Sequence, residues 1–105
     1  MSNKSIPCKE ELSEWLQDAG NAAEYINAAI EDGDRAVMLL ALRDVVTARG
    51  DMATVAEKAH LGRENLYKML SKRGNPEFKT IASVLHAMGL RMTVKPATEQ
   101  KRVAT

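Results

Sequence analysis

Residues 52–71, MATVAEKAHLGRENLYKMLS, decide how the rest of the chain is read. Val55, Ala56 and Ala59 recur at three- and four-residue spacing, which puts them on one side of a short helix. Ala56 carries particular weight, because two helices crossing steeply over a tight turn approach closest near the middle of the first, where only a small side chain fits. His60-Leu61-Gly62 breaks the pattern with Leu61 pointing inward, and Gly62 occupies a helix-start position that accepts Ser, Thr, Asn, Asp or Gly. In a second helix Leu66, Met69 and Leu70 face the first, leaving Arg63, Glu64, Asn65, Tyr67, Lys68 and Ser71 open to solvent. The spacing predicts a helix-turn-helix whose outward face has the chemistry of a base reader. Arg pairs bidentately with guanine and Asn with adenine, while Lys and the Tyr and Ser hydroxyls hold phosphates. An ordinary helical hairpin uses the same apolar spacing, so the charge distribution has to separate the two.

A chain of 105 residues provides one domain with a real core. Hydrophobic residues make up 45% and aromatics 4%, so the core has to be built from Ala, Leu, Val, Ile and Met. Residues 1–34 hold two Lys against eight acids, net −6, whereas residues 35–105 hold thirteen Lys and Arg against six acids, net +7. An acidic front and a basic back imply two surfaces with different partners, the basic one suited to a polyanion. Cys8 is the single cysteine and offers neither an intramolecular disulfide nor a second thiol for a metal. No apolar run reaches the length of a membrane span and no signal-peptide core is visible, so a cytoplasmic protein is expected.

The flanks fit a helical domain over residues 9–95, with 1–8 a flexible lead-in and 96–105 a disordered tail. A short helix is expected from Lys9 to Asp18 with Leu12, Trp15 and Leu16 inward. Gly20 should end it, and Asn21 with Glu24 resembles a capping box opening the next helix, which Asp32-Gly33 stops. Asp34 caps a central helix from about Arg35 to Arg49, with Arg35, Arg43, Asp44 and Arg49 outward and Gly50 left-handed at its end. Asp51 caps the helix that follows. After the loop carrying Lys72 and Arg73, Asn75-Pro76 starts a last helix whose inward stripe reads Phe78, Ile81, Ala82, Leu85 and Met88. Leu90 to Lys95 then alternates apolar and polar, the period of a strand. With no second strand in the chain, Leu90, Met92 and Val94 are expected to pair with another molecule, either a second copy in a dimer or a partner's sheet. The fold class is therefore all-α: a five-helix domain containing a helix-turn-helix, with a short C-terminal strand.

The chain resembles the antidote proteins of prokaryotic addiction modules, the HigA-like group with a phage-repressor-type (XRE-like) helix-turn-helix. NAAEYINAAIEDGD and LLALRDVVTARGDMATVAEKAHLGRENLYKMLSKRGNPEFKTIASVLHAMGLRMTV carry the resemblance, and LGRENLYKMLSKRGNPEFKTI is its most specific part. It implies an antitoxin that neutralises a RelE/ParE-like toxin and binds double-stranded operator DNA as a homodimer to repress its own operon. By position it implies that Arg63, Glu64, Tyr67, Lys68 and Ser71 form the exposed recognition face and that Thr54 holds a phosphate. Asn65, Lys72 and Arg73 join them as DNA-contact candidates on chemical grounds. His60 stands where the motif often has Gly and Gly62 where it often has Ser, each loosening the turn by up to about 1 kcal/mol.

Glu10, Glu11, Glu14, Asp18, Glu31 and Asp32 are the candidates for docking a cationic toxin. A free-standing phage- or plasmid-type repressor with no toxin partner is the alternative, and the same DNA face would serve it. For catalysis or metal binding the residues offer little, since His60 and His86 are 26 positions apart with no Cys or paired carboxylate beside them. No catalytic residue, metal or cofactor is assigned.

Overall fold

A computed structural model describes residues 9–71 and 73–97, and within them the chain is all-helical. The order is α1 (Lys9–Trp15), α2 (Ala19–Asp32), α3 (Arg35–Arg49), α4 (Met52–Lys58), α5 (Arg63–Met69) and α6 (Phe78–Ala87). Six helices stand where the fold class expected five: the two seven-residue helices foreseen within residues 52–71 have to be counted separately. The lead-in, residues 98–105 of the tail and Lys72 lie outside the described residues.

Three aspartates start helices by the same device. Asp34 accepts from the Ala36 amide at 2.8 Å, Asp51 from Thr54 at 2.9 Å, and Asp18 from Asn21 at 3.0 Å. Each satisfies an amide that the first helical turn leaves without a carbonyl partner. Asp18 corrects the expectation for the second helix: the cap is Asp18 and not Asn21, and Gly20 lies inside the first turn. Asn21 instead sends its side-chain amide back to the Trp15 carbonyl at 2.9 Å, closing the bend between α1 and α2. Gly33, at φ 82°, ends α2 in the left-handed region, where its missing Cβ removes the steric cost. At the end of α3, Gly50 has φ 169°, extended backbone and not the left-handed form expected there.

The core is aliphatic throughout. Leu39, Leu42, Val45 and Val46 from α3 meet Leu16, Ala22 and Ile26 on one side and Val55, Ala56, Leu66, Leu70, Val84, Leu85 and Met88 on the other. α3 is the pillar, as its apolar pattern implies. Its last residue ties two distant segments together. Arg49 Nε and one terminal nitrogen donate to the Met88 carbonyl at 3.2 and 3.0 Å, and the other terminal nitrogen donates to the Gln17 carbonyl at 2.6 Å. Asp44, also expected outward, accepts from the Tyr25 hydroxyl at 2.7 Å. At the opposite end of α3, Arg35 reaches Asn75 Oδ1 at 3.4 Å.

Phe78 and Trp15, both expected inward, are outside. Phe78, the first residue of α6, is 69% exposed. Val84, absent from the expected stripe, is buried in its stead. Trp15 is 44% exposed and meets Tyr25 edge-on, with centroids 6.4 Å apart and rings at 79°. The C-terminal strand does not form. From Arg91 to Ala97 no backbone group pairs with another backbone group among the described residues, since no second strand is at hand to complete a ladder. Leu90 still packs on the core, its amide bonded to the Leu85 carbonyl at 2.9 Å.

Candidate functional site

The α4–α5 pair is built from the two apolar patterns of residues 52–71. Val55 and Ala56 of α4 are buried against Leu66 and Leu70, and a four-residue connection, 59–62, joins the helices. Leu66 is fully buried, and its truncation to Ala would cost about 2–5 kcal/mol. Leu61 packs against the core from the connection, and its amide donates to the Ala56 carbonyl at 2.8 Å. His60 turns the chain with φ 60°, the left-handed value that makes Gly the easier residue there. Gly62 caps α5 with backbone alone.

With its apolar side anchored, α5 turns Arg63, Glu64, Asn65, Tyr67 and Lys68 to solvent. Gly62, Arg63, Glu64, Asn65 and Tyr67 line one shallow hollow. The Arg63 guanidinium lies over the Tyr67 ring, 5.8 Å from its centroid. Arg73 is exposed in the following loop. Ser71 differs from the expectation in detail: it is half-buried and its hydroxyl donates to the Lys68 carbonyl at 2.8 Å, so it closes the end of α5. Thr54 is exposed at the start of α4, with its amide held by Asp51. The backbone bond from Thr54, the largest cause, holds the Asp51 carboxyl below the usual carboxylate range, with smaller help from the Thr54 side chain, the Ala53 amide and the charge of Arg63.

The acidic candidates are all exposed but do not form one surface. Glu10, Glu11 and Glu14 sit on α1 and Asp18 at the start of α2, whereas Glu31 and Asp32 sit at the far end of α2. A helix of that length separates its ends by about 20 Å. Asp18 is further committed to capping. Leu90, Met92 and Val94, the expected pairing residues, divide between half-buried Leu90 and the exposed pair Met92 and Val94, at 40% and 96%. Leu90 and Met92 line a groove whose opposite wall is Ile26 and Ile30 of α2.

Sequence reasoning missed the placement of the two histidines. His60 and His86 line one cleft together with Lys58, because α6 packs along α4. Among the described residues no group of three or more His, Cys, Asp or Glu is placed to hold a metal ion. Nor, among the described residues, is any helix long and apolar enough to cross a membrane.

A family model described as "probable addiction module antidote protein" matches residues 8–96. A protein of Haemophilus influenzae described as uncharacterized is 34% identical over 85 residues, which span 81% of this chain and 87% of the relative. No solved structure matches the chain. With nearly all of its helical core inside the matched span, the chain belongs to the family of probable addiction module antidote proteins.

Proposed function

We propose that this antidote is the antitoxin of a type II toxin–antitoxin module: it neutralises a RelE/ParE-like toxin and represses its own operon by binding operator DNA through α4–α5 acting as a helix-turn-helix. The observation that carries the DNA reading is α5, which keeps Leu66 and Leu70 buried while presenting Arg63, Glu64, Asn65, Tyr67 and Lys68 to solvent. Arg63, Asn65 and Tyr67 read base edges in a major groove, each good pair contributing about 1–3 kcal/mol of discrimination. Lys68, Lys72 and Arg73 contact phosphates, and the affinity falls steeply with salt because the release of displaced counterions then gains less. Thr54 adds a phosphate contact at the start of α4.

One such unit spans few base pairs, so the protein acts as a dimer on half-sites about 34 Å apart or a multiple of that. The exposed Met92 and Val94, with the unpaired backbone around them, support residues 90–95 as the dimer seam. The acidic patches on α1 and at the end of α2 dock a cationic toxin, the charge complementarity speeding capture.

The test is a titration of the protein against its own upstream DNA and a scrambled duplex, at low and moderate salt. Preference for the upstream DNA should survive moderate salt, and Arg63→Ala with Lys68→Ala should weaken it about 30-fold or more while helical circular dichroism is unchanged. Equal, salt-labile binding to both duplexes refutes the operator reading. For the seam, Met92→Asp or Val94→Asp should convert the dimer to monomer in sedimentation, and a persisting dimer places the interface elsewhere.

A further inference from the structure

Two adjoining clefts between the ends of α4 and α6 share Lys58 and His86. One adds Arg49, the other His60 and Ser83. Lys58, His60 and His86 are exposed, and Ser83 is half-buried with a hydroxyl able to donate. Small residues, Ala59 and Ala82, help line the hollow and leave it open. Every charged or titratable side chain lining the clefts is basic: Arg49 from α3, Lys58 from α4, His60 from the connection and His86 from α6.

Helix-end electrostatics accounts for only part of this cluster. The C-terminal ends of α4 and α6 together bring roughly one negative charge, about half from each. Arg49 and Lys58 supply two permanent positive charges, which leaves the site near +1 when both imidazoles are neutral and near +3 when both are protonated. Histidine gains its proton between mildly alkaline and mildly acidic pH. Arg49 contributes mainly field, because three of its five N–H groups are already committed to the Met88 and Gln17 carbonyls. Lys58, the two imidazoles and the Ser83 hydroxyl are the principal groups placed to donate.

We propose that the Lys58–His60–Ser83–His86 cleft is a proton-gated site for a phosphate-type oxyanion, separate from the exposed face of α5. The proposal does not rest on α5 reading DNA. The oxyanion is carried either by a free phosphate-bearing small molecule or by a nucleic-acid backbone, and the chemistry of capture is the same.

Sulfate is the probe of choice, since its charge is constant over the range in which histidine titrates. In a titration at fixed ionic strength, the His60 and His86 ring signals in NMR should shift saturably at pH 6, with a dissociation constant about tenfold larger at pH 8. Lys58→Ala and the pair His60→Asn with His86→Gln should each weaken sulfate several-fold, the histidine pair being followed by backbone amide shifts of residues 58–60 and 82–86 since it has no imidazole left; Asn tolerates the left-handed backbone of position 60, so folding is kept. Linear, unsaturable shifts at pH 6, or unchanged binding in the histidine variant, overturn the proposal. A short duplex in place of sulfate assigns the source. Movement of the same ring signals, lost in Lys58→Ala, identifies a backbone phosphate, and unmoved rings identify a free phosphate-bearing molecule.

Discussion

Arg49 is the side chain whose removal the structure makes most informative. Its guanidinium joins three segments that no other polar contact brings together among the described residues: the end of α3, the bend after α1 and the last turn of α6. The forked pair onto the Met88 carbonyl shares one acceptor and is partly buried, so it counts as one charge-assisted bond worth about 1.5–2 kcal/mol. The bond to the Gln17 carbonyl is exposed and adds about 0.5–1 kcal/mol. Arg49→Ala should therefore destabilise by about 2–3 kcal/mol, lowering Tm by roughly 10–20 °C for a domain of this size. Arg49→Lys keeps the charge but not the fork, and should lose about half as much. Urea unfolding followed by circular dichroism measures both. The midpoints should order wild type, Lys and Ala, with the denaturant slope unchanged. An Ala variant within about 0.5 kcal/mol of wild type would refute the clamp, because surface arginines without such bonds usually show effects of that size.

Burial, followed by the hydrogen bond and charge of Asp44, pushes the Tyr25 hydroxyl up from 10.0 to about 12. The neutral phenol is the favoured form, so its contribution is complete below pH 10 and disappears as pH rises towards 12. The rise corresponds nominally to about 2.7 kcal/mol, and solvent screening of a largely accessible group brings it to about 1 kcal/mol. Tyr25→Phe should cost that much at neutral pH, and phenolate absorbance in a Tyr67→Phe background should show the late titration; ordinary tyrosine titration there contradicts the Asp44 bond. Gly74→Ala should destabilise by about 2–3 kcal/mol in thermal melts, because a Cβ there collides with the Met69 carbonyl, and a neutral effect would mean the loop is placed otherwise. Gly62→Ser should stabilise by about 0.5–1 kcal/mol: φ is −73°, the new Cβ meets only Asn65 Nδ2 at 3.6 Å, and the hydroxyl caps α5. A fall in Tm is the contrary result.

Much of the architecture was legible because local rules dominate it. Asp34 and Asp51 cap their helices as expected, α3 runs from Arg35 to Arg49, and the apolar pairs of residues 52–71 pack α4 on α5. What was hidden depends on what lies across a gap. Phe78 extends the apolar stripe in sequence and was expected inward, yet it is exposed, and no sequence pattern tells where along a helix the packing stops. Asp18 and Asn21 are both good caps, and only the bend bonded to the Trp15 carbonyl selects between them. Arg49 and Asp44 look like surface charges until the carbonyls and the hydroxyl they meet are in place. Alternation at 90–95 signals a pairing capacity, and a single chain supplies no partner to use it. Of the candidate DNA face, the outward set on α5 was visible from periodicity, whereas the inward commitment of Ser71 was not. The six carboxylates looked like one surface because charge counts carry no distances.

The stacking of Arg63 on Tyr67 bears on how a ligand would be met. A long, freely rotating side chain surrenders about 0.5–1.5 kcal/mol of conformational freedom when an interface immobilises it. Resting on the ring one helical turn away, Arg63 has already given up part of that freedom in the unbound protein. Tyr67 then acts before encounter as well as during it, by narrowing the search of its neighbour. Its loss would register in calorimetry as a less favourable binding entropy assigned to a residue that was not itself changed.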